Sequence, residues 1–403
     1  LNQLKPGYGK ADPASMREIR RIAVKAERTG KFKTFFHKVL SLSFFLRRLP
    51  TVFFPSKEDV TSARKLSGKG YFRQVLERLI LLTMFRMEPG DYYICALFMP
   101  EQYAAAGSFI DYRQFSFLNF FLNQKKTTIL TEDKIQFAEL CTKKGLRTAP
   151  IIARLNLLTP LPEKDLGEKI RPIARTEGLF FKPRYGMQGN GAGRLSCDDD
   201  DTWSLTYATG GRFDGDWSEM YKILMENCKE ELIFQPLLKS HPDLARFNPD
   251  SVQSVRLITF RDRETIRPLL ARLRLGINDS LVDASHSAIG APIDLNSKKL
   301  LRGSRKTTAI LPESIETFGP NNIRLEGFEV PYFDQMQSLA IAVHEAFPEI
   351  FSLGHDIFIL DDGPLILETN HIWGSPQFVH KEGLGSHQGF INAIIEIAKR
   401  EHF

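Results

Sequence analysis

A chain of 403 residues with 42% hydrophobic content is long enough to bury more than one core, so two or three domains are expected. The formal charge of +6 comes from basic residues spread along the chain rather than gathered in a block, which favours anionic small ligands over a nucleic-acid footprint. Cys95, Cys141, Cys197 and Cys228 show neither a CxxC pair nor metal-ligand spacing, as expected of reduced thiols in a cytoplasmic protein; no apolar stretch is long enough to span a bilayer, and no signal peptide is expected before the first domain.

Residues 1–90 are expected to form an N-terminal helical region packed outside the main body, with helical runs at Ser15 to Arg28 and Tyr71 to Met84. Within it Phe35, Phe36, Val39, Leu40, Phe44, Phe45 and Leu46 stand among Lys33, Lys38, Arg47 and Arg48. This is the pattern of an interfacial amphipathic helix over residues 34–48, which would bring the protein to the inner face of the membrane; docking of the same apolar face on the protein's own core is the favoured alternative. Residues 91–130 are expected to be a separate segment preceding the strand-rich part. At Thr131-Glu132-Asp133-Lys134 a helix begins, with Thr131 as its cap and two acids in its first turn; Ile135, Ala138 and Cys141 make its apolar stripe and Gly145 ends it.

From about residue 150 the pattern turns to strands: Leu179 to Lys182, Gly193 to Ser196, Leu232 to Gln235, Ser254 to Phe260 and Arg267 to Leu275. Helices at about 216–228 and 333–347 interrupt them. Runs of strands of this kind indicate an α+β fold with largely antiparallel sheets. The last strands form a hairpin, in which Ile357 to Leu360 and Leu365 to Leu367 flank Asp361-Asp362-Gly363-Pro364. A three-residue loop with Gly363 in the left-handed position places Asp356 opposite Glu368, and Asn370 shares their face. Three hard oxygen donors on one face suit Mg2+. A two- or four-residue loop would instead turn Asp356 to the other side, leaving acidic residues that merely bracket a solvated hairpin.

Three further segments carry polar chemistry. Lys182 opens a stretch with Gly186, Gly189, Gly191 and Gly193 between two strands, where backbone N–H groups can approach phosphate oxygens because no Cβ intervenes; a structural surface hairpin is the alternative. It is neither a Walker A loop nor a dinucleotide fingerprint, because no Gly-Lys-Ser/Thr closes it and a strand follows. Ile233, Phe234 and Gln235 lie on an apolar strand whose backbone edge can bind an adenine ring, or which is simply a core strand. Arg256, Arg272 and Arg274 lie on strands where a guanidinium can clamp phosphate or carboxylate, although alternating strand arginines are more often surface residues.

The order of these segments, from Asp133-Lys134 through Lys182 and its glycine loop, the apolar strand and Arg256 to Asp356 and Glu368-x-Asn370, resembles the ATP-grasp superfamily over residues 129–375. Asp91-Tyr92-Tyr93, Ser254-Val255-Arg256, Arg274-Leu275-Gly276, Val330-Pro331-Tyr332 and Gly354-His355-Asp356 look like its sugar-transfer-associated branch. The resemblance implies two α+β subdomains, residues 131–235 and 236–403, gripping ATP between antiparallel sheets. It implies nucleotide contacts at Lys134, Lys182, Gly186, Gly189, Gly191, Ile233, Phe234, Gln235 and Arg256. Mg2+ would bind Asp356, Glu368 and Asn370, and Arg274 would face the substrate carboxylate or the oxyanion formed on amine attack.

The implied reaction is ATP-dependent joining of a small-molecule carboxylate and an amine through an acyl phosphate, in polysaccharide or sugar-conjugate biosynthesis. The chain departs from the branch at Asp283-Ala284-Ser285-His286-Ser287-Ala288-Ile289-Gly290, where an Asp-Asn and paired glycines are expected, and at Phe318-Gly319-Pro320, which lacks a His-Pro pair. These departures bear on substrate identity. They also motivate a second expectation, a nucleotide-binding module without ligase activity that regulates a polysaccharide-assembly partner. Nucleic acid is not an expected partner, since no recognition motif accompanies the charge, and oligomeric state is not encoded legibly.

Overall fold

The computed structural model describes residues 4–29, 37–123, 125–186, 190–228, 230–249, 251–276, 289–305, 313–374 and 382–401. The N-terminal part is helical: α1 Pro13–Thr29, α2 His37–Phe53, α3 Lys57–Ser67, α4 Tyr71–Phe85, α5 Asp91–Ile94, α6 Pro100–Ala104, α7 Tyr112–Leu122, α8 Lys125–Glu132 and α9 Lys134–Lys143. Helices therefore continue through residues 91–130. Asp133, not Thr131, caps α9, its Oδ1 accepting from the N–H groups of Ile135 and Gln136 at 3.0 and 3.2 Å. The reason is that α8 runs through Thr131, whose hydroxyl instead meets His371 Nδ1 at 2.8 Å.

Two antiparallel sheets follow. The first consists of β1 Ala153–Leu155, β2 Leu179–Pro183, β3 Gly193–Cys197, β4 Trp203–Tyr207, β5 Arg212–Gly215 and β6 Leu232–Pro236, in the order β1-β6-β2-β3-β4-β5. Helices α10 Glu163–Thr176 and α11 Trp217–Asn227 cover one of its faces, burying Leu166, Ile170, Met220 and Leu224 against Leu179, Phe181, Leu195 and Phe234. After the short α12 Pro242–Ala245, the second sheet combines β7 Ser254–Asp262, β8 Thr265–Leu275, β9 Ile289–Ile293, β10 Gly303–Arg305, β11 Glu313–Ile315, β14 Ser352–Leu360 and β15 Gly363–Asn370. Their order is β11-β10-β9-β8-β7-β14-β15, and β12 Thr317–Phe318 with β13 Ile323–Arg324 forms a small separate ladder. Two more helices, α13 Phe333–Glu345 and α14 Gln388–Arg400, pack against the second sheet.

The two faces of that sheet have different fates. One is largely apolar: Val255, Leu257, Leu273, Ile357 and Ile366 pack on Met336, Ala340 and Val343 of α13. On the other, Ile258, Phe260 and Leu270 lie under α1, α7 and α14, together with Met16, Ile19, Ile22 and Phe390. Helix α1 is thus part of the main core rather than outside it, because its stripe at helical spacing fits this sheet. The remaining end of the same face carries Arg256, Arg272, Arg274, Asp356 and Glu368, as strand alternation and direct pairing require.

A buried polar chain stiffens the strands behind those charges. His344 Nε2 lies 2.9 Å from the carbonyl of Ile350, which can only accept, so this nitrogen carries the proton. His344 Nδ1 then accepts from Thr259 Oγ1 (2.7 Å), which accepts from His355 Nε2 (2.8 Å), whose Nδ1 accepts from Thr369 Oγ1 (2.7 Å). Burial pushes His344 down to about 4 and His355 well below the ordinary value. A folded state that rejects a proton the unfolded chain accepts loses stability as pH falls from the unfolded value, about 6.5, through about 4. Denaturant titrations should show wild type losing on the order of 2–3 kcal/mol more than His344→Gln between those limits. Equal slopes for the two proteins would contradict a neutral, buried His344.

Candidate active site

The hairpin reaches the expected register by an unexpected route. Gly363 has the anticipated positive φ, 115°, yet it pairs with Leu360, so the loop holds only Asp361 and Asp362. A bulge between Asp356 and Ile357 then leaves Leu367 without an opposite residue and brings Asp356 face to face with Glu368. The two irregularities compensate, and Asp356, Glu368 and Asn370 share one face. Asn370 Nδ2 donates to Glu368 Oε1 at 3.2 Å.

Asp356 is nearly inaccessible and already engaged. Arg256 grips it with two bonds, Nε to Oδ1 at 2.5 Å and Nη2 to Oδ2 at 2.8 Å, and Arg274 Nη1 lies 3.1 Å from Oδ1. Burial alone would raise this carboxyl, but the guanidiniums of Arg256 and Arg274 hold it well below the usual carboxylate range. Gly354 makes the grip sterically feasible. A Cβ there would stand 3.2 Å from Arg256 Nη1 and 2.6 Å from Cβ of the buried Trp373. Gly354→Ala should therefore destabilise the protein by about 1–3 kcal/mol and displace Arg256. Denaturant unfolding checks it, and an unchanged midpoint would contradict this close approach.

Lys182 reaches the same place from the first sheet. It is buried on β2, and the charges acting on it are those of Glu368, Lys134 and Asp356. Burial lowers its ammonium to about 8, against the pull of the two carboxylates. Direct pairing puts Ile233 on the Lys182 face, with Gln235 opposite Phe180 further along β6. Lys134, at the start of α9, donates to the carbonyls of Arg184 and Gly186 at 3.3 and 3.0 Å and feels Glu368 as well. Gly186 and Gly191 both take positive φ, 112° and 75°, conformations that L side chains resist. Gly189 and residues 283–288 lie outside the described residues.

Two expectations for β6 need correction. It is flanked by β1 and β2, so it offers no free edge over Leu232 to Phe234, and the Phe234 side chain sits in the apolar core on the side away from Lys182. Alternation along the strand allows only one of Ile233 and Phe234 to face the site. The Gln235 side chain is committed to the Ala149 carbonyl at 3.0 Å.

A collar that no sequence spacing revealed lies next to the glycine loop. Arg184 binds Asp133 through Nε (3.0 Å) and Nη2 (2.5 Å) and Glu231 through Nη1 (2.8 Å), while Tyr185 donates its hydroxyl to Asp133 at 3.0 Å. Against the upward effect of burial, these donors and the capped N–H groups hold Asp133 at about 2. Helix α9, the loop entrance and β6 are thereby fixed together. The partners are 51 and 47 residues apart in sequence, so only folding reveals them.

The oxygen donors fit a hard cation with one restriction. Among the described residues no group of three or more His, Cys, Asp or Glu side chains could hold a metal. A cation here would use Glu368 and Asn370, share Asp356 with two arginines, and complete its shell from phosphate or water, which is how Mg2+ commonly binds.

The model of one protein family, the sugar-transfer associated ATP-grasp, matches residues 113–392. The chain belongs to the sugar-transfer associated ATP-grasp family. Solved structures similar to this ATP-grasp protein include the D-alanine–D-alanine ligase of Bacillus anthracis complexed with ATP, at 12% identity, covering 68% of each chain with a TM-score of 0.38. Another is the N5-carboxyaminoimidazole synthase of Aspergillus clavatus with ADP and 5-aminoimidazole ribonucleotide, at 11% identity over 72% of this chain and 58% of that one, with a TM-score of 0.39. D-cycloserine synthetase matches at 14% identity over 70% and 80% of the two chains, with a TM-score of 0.37. No curated protein sequence matches. ATP-grasp membership supports ATP as the nucleotide and ligase chemistry at the level of the family.

Proposed function

We propose that this chain is an ATP-dependent carboxylate–amine ligase whose phosphoryl-transfer site lies where Lys182 approaches Asp356 and Glu368. The observation that carries this reading is that convergence: a buried lysine from one sheet stands in the field of two carboxylates from the other, beside Arg256 and Arg274. Phosphoryl transfer is mostly positioning and charge neutralisation, and four cationic side chains (Lys134, Lys182, Arg256, Arg274) gathered around two acids supply both.

Bound Mg2+ would add Lewis-acid neutralisation of phosphate oxygens, held by Glu368 and Asn370 with Asp356 beside them. Lys182 contributes a fixed charge toward the phosphates. Arg274, anchored through Asp356, presents its guanidinium to the substrate carboxylate or to the oxyanion formed on amine attack. The loop containing Gly186, Gly189 and Gly191 covers the phosphates and excludes water that would otherwise hydrolyse the activated acid. Ile233 and the backbone at Gln235 contact the adenine. In the reaction a carboxylate oxygen attacks the γ-phosphorus as ADP leaves; the amine nitrogen then attacks the acyl carbon as phosphate leaves. The family's association with sugar transfer makes polysaccharide or sugar-conjugate precursors in the cytoplasm the substrate class to try first.

The test is isotopic. With 18O in the substrate carboxylate, one labelled oxygen should appear in released phosphate; label retained wholly in product would exclude the acyl phosphate. One observation favours the alternative of a nucleotide-binding module that regulates a polysaccharide-assembly partner: Asp356 is held by two guanidiniums, which weakens it as a metal ligand. Tight ATP binding with no ADP release across a panel of acids and amines would favour that module.

A further inference from the structure

Helix α4 buries polar side chains alongside the apolar Val75, Leu81, Leu82 and Phe85. Its polar side chains Gln74, Glu77 and Arg78 are buried, whereas Tyr71, Phe72, Leu76, Thr83 and Met84, its exposed positions, carry no charge. The buried groups are satisfied: Glu77 meets Lys69 and Arg73 at 2.8 and 2.7 Å and the Tyr92 hydroxyl at 2.8 Å, and Arg78 donates to the carbonyls of Thr51, Val52 and Pro89. Facing outward, Phe72 is 85% and Leu76 41% exposed, one helical turn apart. The end of α2 extends this surface, since Tyr71 donates its hydroxyl to the Phe53 carbonyl and the neighbouring Phe54 is 82% exposed. Single exposed apolar residues are ordinary, but several on two linked helices mark an interaction surface.

Its electrostatics select the partner. The exposed charged residues of 44–86 are Arg47, Lys57, Arg64 and Lys65 against Glu58 alone, so this helical region presents a positive surface. A second copy would bring two positive rims together, whereas an anionic lipid surface attracts the rim and takes up the phenylalanines. No helix of the described residues is long and apolar enough to cross a membrane, so the contact would be peripheral. Of the 34–48 stretch, Phe44 is buried with Val52 and with Val75 and Leu82 of α4, as the core-docking alternative expects, whereas Leu46 is 55% exposed; residues 34–36 lie outside the described residues.

We propose that the outer face of α4 with the end of α2 is a docking surface for anionic membrane lipid. The proposal is independent of the ligase reading. It is tested by flotation of the full chain with vesicles of phosphatidylcholine containing about 30% phosphatidylglycerol, a bulk density of anionic headgroups high enough for electrostatic recruitment. Binding should be strong at low salt, fall as salt rises, and be weak on pure phosphatidylcholine. The double variant Phe54→Ser/Phe72→Ser, at two exposed positions and checked for unchanged circular dichroism, should lower partitioning by about tenfold or more. No binding to anionic vesicles, or equal binding by the double variant, would overturn the proposal. Light scattering that shows a dimer which the double variant dissociates would assign the surface to a second copy and overturn it equally.

Discussion

Glu368→Gln is expected to abolish Mg2+-dependent turnover while leaving the fold intact. Glutamine keeps the size of the side chain and an oxygen to accept from Asn370, so the 3.2 Å contact survives and only the charge is lost. That charge is the principal metal-binding group in the proposed site, because Asp356 is shared with Arg256 and Arg274. Loss of a ligand that supplies several kcal/mol of transition-state stabilisation corresponds to a fall of about 10^2- to 10^4-fold in rate. ADP release measured at saturating Mg2+ checks it. Retained turnover would contradict the assignment of Glu368 to the metal.

Lys182→Ala should weaken nucleotide binding by about 1.5–3 kcal/mol, roughly 10- to 150-fold, the cost of removing a charged hydrogen-bond donor from a buried phosphate contact. Calorimetry with a non-hydrolysable ATP analogue measures this. The pH dependence gives a sharper signature. Burial holds Lys182 at about 8 in the free protein, against an ordinary value of 10.5. Phosphate stabilises the charged form, so binding raises this value and takes up a proton at pH above about 8. Affinity should be highest below pH 8 and decline above it in the wild type, and the Lys182-dependent part of that decline should be missing from Lys182→Ala. Unchanged affinity in the variant would remove Lys182 from the site.

The strands that carry chemistry were legible because they are short runs rich in apolar, β-branched and aromatic residues: Ser254 to Phe260 and Leu179 to Lys182 each lie within strands at those positions. The pairing of Asp356 with Glu368 was also legible, yet its cause was not. A two-residue loop would by itself have turned Asp356 over, and the bulge at Leu367 that restores the pairing has no local sequence signal. Phe234 illustrates a different limit: an apolar strand announces burial but not which face lies toward a ligand. Helix α1 could be recognised as amphipathic, but the surface it covers, Ile258 and Phe260, lies more than two hundred residues away. The Asp133–Arg184–Glu231 collar was hidden for the same reason. Long-range ion pairs leave no periodicity to find.

Crystals grown with Mn2+ and a non-hydrolysable ATP analogue, measured at the manganese edge, test most directly whether the facing sheets form a metal-nucleotide site. An anomalous peak within bonding distance of Glu368 and Asn370, with the phosphates lying between it and Lys182, is the expected result. A nucleotide bound elsewhere, or manganese held by neither residue, would contradict it.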